Sequence, residues 1–190
     1  MLLKIVWIVI LLLEVVGMRA RSEALSFRVL AYYTIQSHLV TAVSILLALL
    51  FGEGGFVTVL RYLSSCMLLM TMVVTVCVLV PMGGDKHKLL FSGSGLYHHL
   101  IIPVLSICVY LVLEEHAGPF RIFLIPAMLT LVYGFTMLRL NAMGLVDGPY
   151  PFFRVKDQTA GKTALWMAVL TAAVAILSIL VWFTGSVVRP

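Results

Sequence analysis

The sequence predicts an all-α fold, a polytopic membrane protein built as a bundle of six transmembrane helices, and three observations predict it. Of 190 residues, 62% are hydrophobic and only 11% charged, a balance foreign to soluble domains. The apolar residues gather in runs close to the roughly 20 residues that a helix needs to cross hydrocarbon. Between the runs stand breaks rich in Gly, Pro and charge: "FGEGGF", "PMGGDKHK", "EEHAGPFR" and the longer "NAMGLVDGPYPFFRVKDQTAGK".

Taken in order, the first span falls near 3–18. Lys4 before an apolar stretch resembles a signal peptide, but no small-x-small cleavage site follows, and Arg19 and Arg21 stand directly after it, as in a retained helix. The remaining spans are expected near 26–51, 59–80, 95–113, 120–140 and 162–184. No composition shift divides the chain, so residues 1–190 read as a single transmembrane domain. No internal repeat is visible, which counts against repeat-built transporter folds.

Six spans put both termini on one side. The termini and even loops then hold Lys4, Arg61, Arg121 and Arg189, while the odd loops hold the other nine of the 13 basic residues. The positive-inside rule therefore predicts cytoplasmic odd loops and termini on the opposite face, in the cell membrane of a bacterium or an endomembrane or plasma membrane of a eukaryote. The net charge of +5 sits beside anionic headgroups, so the expected partners are the bilayer and a lipid, with no nucleic acid. Cys66, Cys77 and Cys108 lie in apolar runs without ligand spacing and read as small hydrophobes.

The second span is the anomaly. Within "AYYTIQSHLVTA" (31–42), Thr34, Ser37, His38 and Thr41 recur at i, i+3, i+4 and i+7, on one face of a helix. Such a face must meet protein or trapped water, because lipid tails offer no hydrogen-bond partner. Counted from Phe27, Thr34 lies roughly 10 Å inside the bilayer and His38 roughly 16 Å. Span four carries Tyr97, His98 and His99 in its first turns, with His98 roughly 5 to 8 Å inside. Thr34 and His98 are thus expected at comparable depth, and a hydroxyl beside an imidazole is the minimum for an activated nucleophile.

The competing reading of each polar residue is ordinary helix glue. Ser37 and Thr41 are assigned to packing, one of the two adjacent histidines to headgroups and water, His87 to solvent, and His116 to the far side. In the fifth loop, "DGPYPFFR" (147–154) is either an interface anchor or a lid offering Tyr150 as a hydrogen-bond donor. Asn141 stands near the same level. Glu14 either pairs with Arg19 or Arg28 or orients a histidine.

The segments "FRVLAYYTIQSHLVTAVSILL" (27–47), "LYHHLIIPVLSICVYLVLEEH" (96–116) and "DGPYPFF" (147–153), in that order, resemble the androgen-induced protein and FAR-17a-like family of six-span membrane proteins. That family includes intramembrane threonine hydrolases of fatty-acid esters of hydroxy fatty acids. The resemblance implies Thr34 as nucleophile, from the aromatic-Thr motif, and His98, five residues before Pro103, as the catalytic histidine. His99, four before Pro103, is the alternative. Hydrolysis of a lipid (fatty-acyl) ester follows, with Thr34 attacking, His98 as general base, no metal and no cofactor. Gln36, His38, His99 and Tyr150 are candidates for substrate or oxyanion contacts. Two other readings fit a buried polar cluster. One is a haem protein with His38 facing His98 or His99, against which stands an expected depth difference of roughly 8 to 11 Å. The other is a small transporter or purely structural membrane protein.

Overall fold

In a computed structural model of the chain, residues 1–21, 27–116 and 118–188 are described, without the side chains of residues 27 and 28. Arg189 and the Arg28 side chain, named above as a topology cation and a partner for Glu14, lie outside them. Six long helices make up the fold, and no strand occurs among the described residues. They are α1 (Leu2–Arg19), α2 (Tyr33–Phe51), α3 (Gly55–Leu79), α4 (Gly93–Leu113), α5 (Phe120–Ala142) and α6 (Ala160–Val188). Short helical turns cover Phe27–Ala31, His87–Phe91 and Pro151–Phe153.

Five helices, α2 to α6, are long and apolar enough to cross a bilayer, as in a multi-pass integral membrane protein. The sixth expected span, α1, does not reach that standard: its 18 residues include Lys4, Glu14 and Arg19. It nevertheless turns a stripe of Trp7, Ile10, Glu14 and Gly17 inward and packs on α2 and α4. α3 is the central helix, with 56% of its apolar window buried against 28% for α6. On α2 the two faces separate cleanly. Thr34, Ser37, His38, Thr41, Ser44 and Ile45 are buried, while Leu39, Val43, Leu46 and Leu50 are exposed as a lipid-facing surface.

The second span differs from expectation at its start. Instead of one helix from 26, a 3₁₀ turn (Phe27–Ala31) is followed by Tyr32 in an extended conformation, and α2 begins only at Tyr33. Tertiary ties fix this break: Tyr133 donates its hydroxyl to the Ala31 carbonyl at 2.7 Å, and the Tyr33 and Thr130 hydroxyls share a hydrogen bond at 2.8 Å. Thr34 therefore stands in the first turn of α2. His38 is the sixth residue of α2, as His98 is the sixth of α4. The two histidines lie abreast, not two turns apart.

α4 carries a second local departure. Residues Tyr97–Ile101 form a π-helical turn in which the Ile102 N–H reaches back to the Tyr97 carbonyl. The next donor in that five-residue register would be Pro103, which has no N–H and whose ring crowds the preceding turn. The turn widens there, and the His98 carbonyl is left without a helical partner.

At the other end of the bundle, Arg61, counted above as a loop cation, is 1% exposed. It donates from Nε and Nη2 to the Glu114 carboxylate at 2.9 and 2.7 Å, and from Nη1 to Ser44 and Ser64. Trp7 Nε1–H donates to the same carboxylate at 2.8 Å. One bidentate ion pair thus joins α1, α2, α3 and the end of α4.

Candidate functional site

The first, third and fifth loops meet at one end of the bundle around an open cleft of about 510 Å³. Thr34, His98, His99 and Tyr150 all line it, together with Arg21, Lys88 and Ser94. Four candidate site residues, from three separate stretches of sequence, therefore face one space. Thr34 and Tyr150 also line a second, inner pocket of about 40 Å³. Its other walls are mostly apolar, among them Met70, Val74, Phe152, Phe153 and Leu170.

Thr34 owes its place to the late start of α2. In the first turn of a helix the backbone N–H groups have no partner within the helix, and the N-cap residue Tyr32 offers no side-chain hydrogen bond of its own. The Thr34 N–H donates to the Tyr150 hydroxyl oxygen at 3.3 Å, and the Thr34 and Tyr150 hydroxyls share a hydrogen bond at 3.2 Å. No hydrogen bond joins Thr34 to His98; the two face the same cleft.

Tyr150 is turned inward and lines both the cleft and the inner pocket. It is buried, stacks on Phe152 with ring centres 5.2 Å apart, and meets Tyr32 edge-on at 6.0 Å. Burial, the largest influence, raises its pKa above the ordinary value, so the phenol keeps its proton and can donate. The loop is held inward by Asn141, which accepts from the Val155 N–H and donates to the Val146 carbonyl, both at 2.9 Å. Gly148 has φ +56°, and a Cβ there would lie 3.1 Å from Arg154 and 3.2 Å from Asn141.

The adjacent histidines differ in burial, His98 enclosed and His99 half-buried at the wall of the open cleft. His98 is 97% buried by its 3% exposure, with Nε2 enclosed and unpartnered. Half-buried His99 receives its orientation from α3. The Thr75 hydroxyl donates to the Thr71 carbonyl at 2.9 Å, so its oxygen accepts from His99 Nδ1–H at 3.0 Å.

His38 lies outside the cleft lining. Its Nε2–H donates to the His98 carbonyl at 3.0 Å, and Nδ1 lies 2.8 Å from each Glu14 carboxylate oxygen. Since a carbonyl only accepts, Nε2 carries a proton, and the Nδ1–carboxylate contact holds one more between them. Glu14 thus pairs with a histidine, while the alternative partner Arg28 has its side chain outside the described residues. Gln36 also lies off the cleft, its amide donating to the Leu30 carbonyl at 2.8 Å. Ser37 and Thr41 bond back to the Thr34 and Ser37 carbonyls, as packing residues do. The Glu14 pairing had a sequence signal, an acid late in an apolar helix. The role of Thr75 had none.

No family model, curated protein or solved structure matches the chain. For the haem alternative, the pairing of His38 with His98 meets a geometric obstacle. The His38 and His98 ring centres are only 4.5 Å apart and the planes are tilted by 49°. Axial imidazoles must stand on opposite faces of a porphyrin, and this spacing leaves no room for one.

Proposed function

We propose that this protein is an intramembrane hydrolase of a lipid (fatty-acyl) ester, with Thr34 as nucleophile and His98 as general base. One observation carries it: Thr34 and Tyr150 stand at the junction of an open cleft, lined in part by polar and basic groups, and an apolar inner pocket. An ester carbonyl seated at Thr34 would direct the start of its acyl chain into the pocket and its alcohol portion into the cleft. Arg21 and Lys88 line the cleft and suit an anionic group there, such as the free carboxylate of the esters cleaved in the family that the sequence resembles.

In the mechanism, His98 takes the Thr34 hydroxyl proton as the oxygen attacks the carbonyl. The negative charge that develops on the carbonyl oxygen is met by the Tyr150 O–H and by the N-terminus of α2, where the helix dipole favours an anion. Collapse of this intermediate expels the alcohol, which takes the proton from His98, and leaves an acyl-Thr ester. Water, deprotonated by the same imidazole, then releases the fatty acid and restores Thr34.

Labelling of the purified protein by a serine/threonine-directed fluorophosphonate tests the assignment. Thr34→Ala is expected to abolish labelling and His98→Ala to slow it at least a hundredfold. Undiminished labelling of Thr34→Ala, or undiminished cleavage of a long-chain acyl ester by it, would overturn the nucleophile.

A further inference from the structure

At the edge of the cleft lies a group of which the hydrolytic scheme uses only His98. A Glu14 carboxylate oxygen, a ring nitrogen of His38 and a ring nitrogen of His98 lie within 4.8 Å of one another. All three residues are buried, and they come from three helices, α1, α2 and α4. We infer that Glu14, His38 and His98 form a binding site for one divalent transition-metal ion of the zinc class, whose occupancy keeps His98 from acting as a base.

Four features point to a metal. The donor set, two imidazoles and a carboxylate, is one that zinc accepts with a fourth position left for water. His98 Nε2 is enclosed by protein and unpartnered, although a buried polar atom ordinarily finds a partner. The His38 ring is oriented as in a metal site: one nitrogen faces the carboxylate, and the other donates to a main-chain carbonyl, the arrangement that fixes tautomer and ring angle in metal-ligating histidines. The spacing also fits. Two imidazoles on one tetrahedral zinc, at Zn–N of about 2.0 to 2.1 Å, hold their ring centres roughly 5 Å apart, close to the 4.5 Å found here.

The surrounding chain makes room for this arrangement. Gly17 follows Glu14 on the inner stripe of α1, and a Cβ on it would lie 2.8 Å from His98 Nε2. α1 therefore supplies both a carboxylate and the notch that receives the imidazole. Entry is from the cleft, which His98 lines. On binding, the ion takes the place of the proton held between His38 and Glu14 and releases it.

The second half of the inference rests on the hydrolase assignment above. A neutral imidazole that ligates a metal through Nε2 carries its proton on Nδ1 and has no lone pair left to accept the Thr34 proton. An occupied site is thus a silenced enzyme, and removal of the metal restores it.

The test uses full-length protein in detergent, stripped with a chelator and then titrated with zinc, with cobalt as a spectroscopic substitute. One zinc per chain is expected, and the cobalt form is expected to show the visible d–d bands of a tetrahedral site. Glu14→Gln, His38→Gln and Gly17→Ala are each expected to weaken zinc binding at least tenfold. Gly17→Ala removes no ligand, so its effect separates a crowded site from a lost donor. His87→Ala is expected to change nothing. Stoichiometry and affinity unaltered in Glu14→Gln and His38→Gln, or no binding by the wild type, would overturn the site. Zinc is expected to slow fluorophosphonate labelling of Thr34 at least tenfold in the wild type and to leave Glu14→Gln unaffected. Zinc bound with labelling undiminished would overturn the silencing. Zinc bound at these residues, with no Thr34 labelling even after chelation, would leave the metal site standing and remove the hydrolase.

Discussion

His38 donates its Nε2–H to the main-chain carbonyl of His98 at 3.0 Å, and the reason for that bond lies five residues further on. Pro103 cannot supply the N–H that the π-helical register of Tyr97–Ile101 would bring to this carbonyl. A buried carbonyl needs a partner, and a side chain from the neighbouring helix provides it. The spacing of a histidine five residues before a proline thus has a physical meaning. It frees one carbonyl, and that carbonyl fixes the ring beside it.

Pro103→Ala restores the missing N–H. The His98 carbonyl would then have two competing donors, and the widened turn could relax toward a regular α-helix, rotating both His98 and His99. Because sub-ångström misplacement of a catalytic group is costly, ester hydrolysis should fall roughly tenfold to a hundredfold while the thermal midpoint holds or rises. An unchanged rate would show that the π-helical turn does not position His98.

Tyr150→Phe removes one hydroxyl and keeps the ring that stacks on Phe152. Loss of a single donor to an oxyanion typically costs about 10²- to 10³-fold in kcat; a loss toward the lower end is expected here, because the N-terminus of α2 remains. KM should change little. Wild-type kcat in Tyr150→Phe, with the loss appearing only in Tyr150→Ala, would assign Tyr150 to packing alone.

Met70→Trp or Leu170→Phe places bulk in the inner pocket, which both residues line. If acyl chains enter there, the preference for chain length should shift toward shorter acids, with the rate on a short-chain ester kept within about threefold while that on a long-chain ester falls tenfold or more, since loss of a well-packed methylene group costs about 1 kcal/mol each. A parallel series of rates on short and long esters reads this directly.

Much of the fold was legible in the sequence because a bilayer leaves few choices. A long apolar run must become a helix, and the breaks between runs carry their own Gly and Pro. Thr34, His98 and Tyr150 could be brought together because hydroxyl, imidazole and phenol are expensive in hydrocarbon and so announce themselves. What escaped was local and tertiary. The break at Tyr32 depends on Tyr133 and Tyr33 finding their partners, the Ala31 carbonyl and Thr130 of α5, which no pattern within residues 27–33 announces. Counting depth from Phe27 therefore put His38 too deep. The π-helical turn follows from Pro103 only once the His98 carbonyl is seen to lack a donor. Arg61 was assigned to a loop because a lone arginine near a helix start resembles a topology signal, and its partner Glu114 lies 53 residues away.

That buried pair makes a prediction about stability independent of the site. Arg61 and Glu114 are each 1% exposed, and their ion pair is fully satisfied by Ser44, Ser64 and Trp7. Removing one partner leaves a charge in a place that cannot solvate it, a change that typically costs about 3 to 5 kcal/mol. Arg61→Met alone, and Glu114→Leu alone, should each lower the thermal midpoint in detergent sharply. The double variant removes both charges and should recover a large part of the loss, because the Coulomb attraction of such a pair is nearly offset by its desolvation. Fluorophosphonate labelling of Thr34 should persist in whatever fraction remains folded, since this network lies at the opposite end of the bundle from the cleft. If the double variant is as unstable as the sum of the single ones, the two side chains contribute through separate contacts and not as a pair.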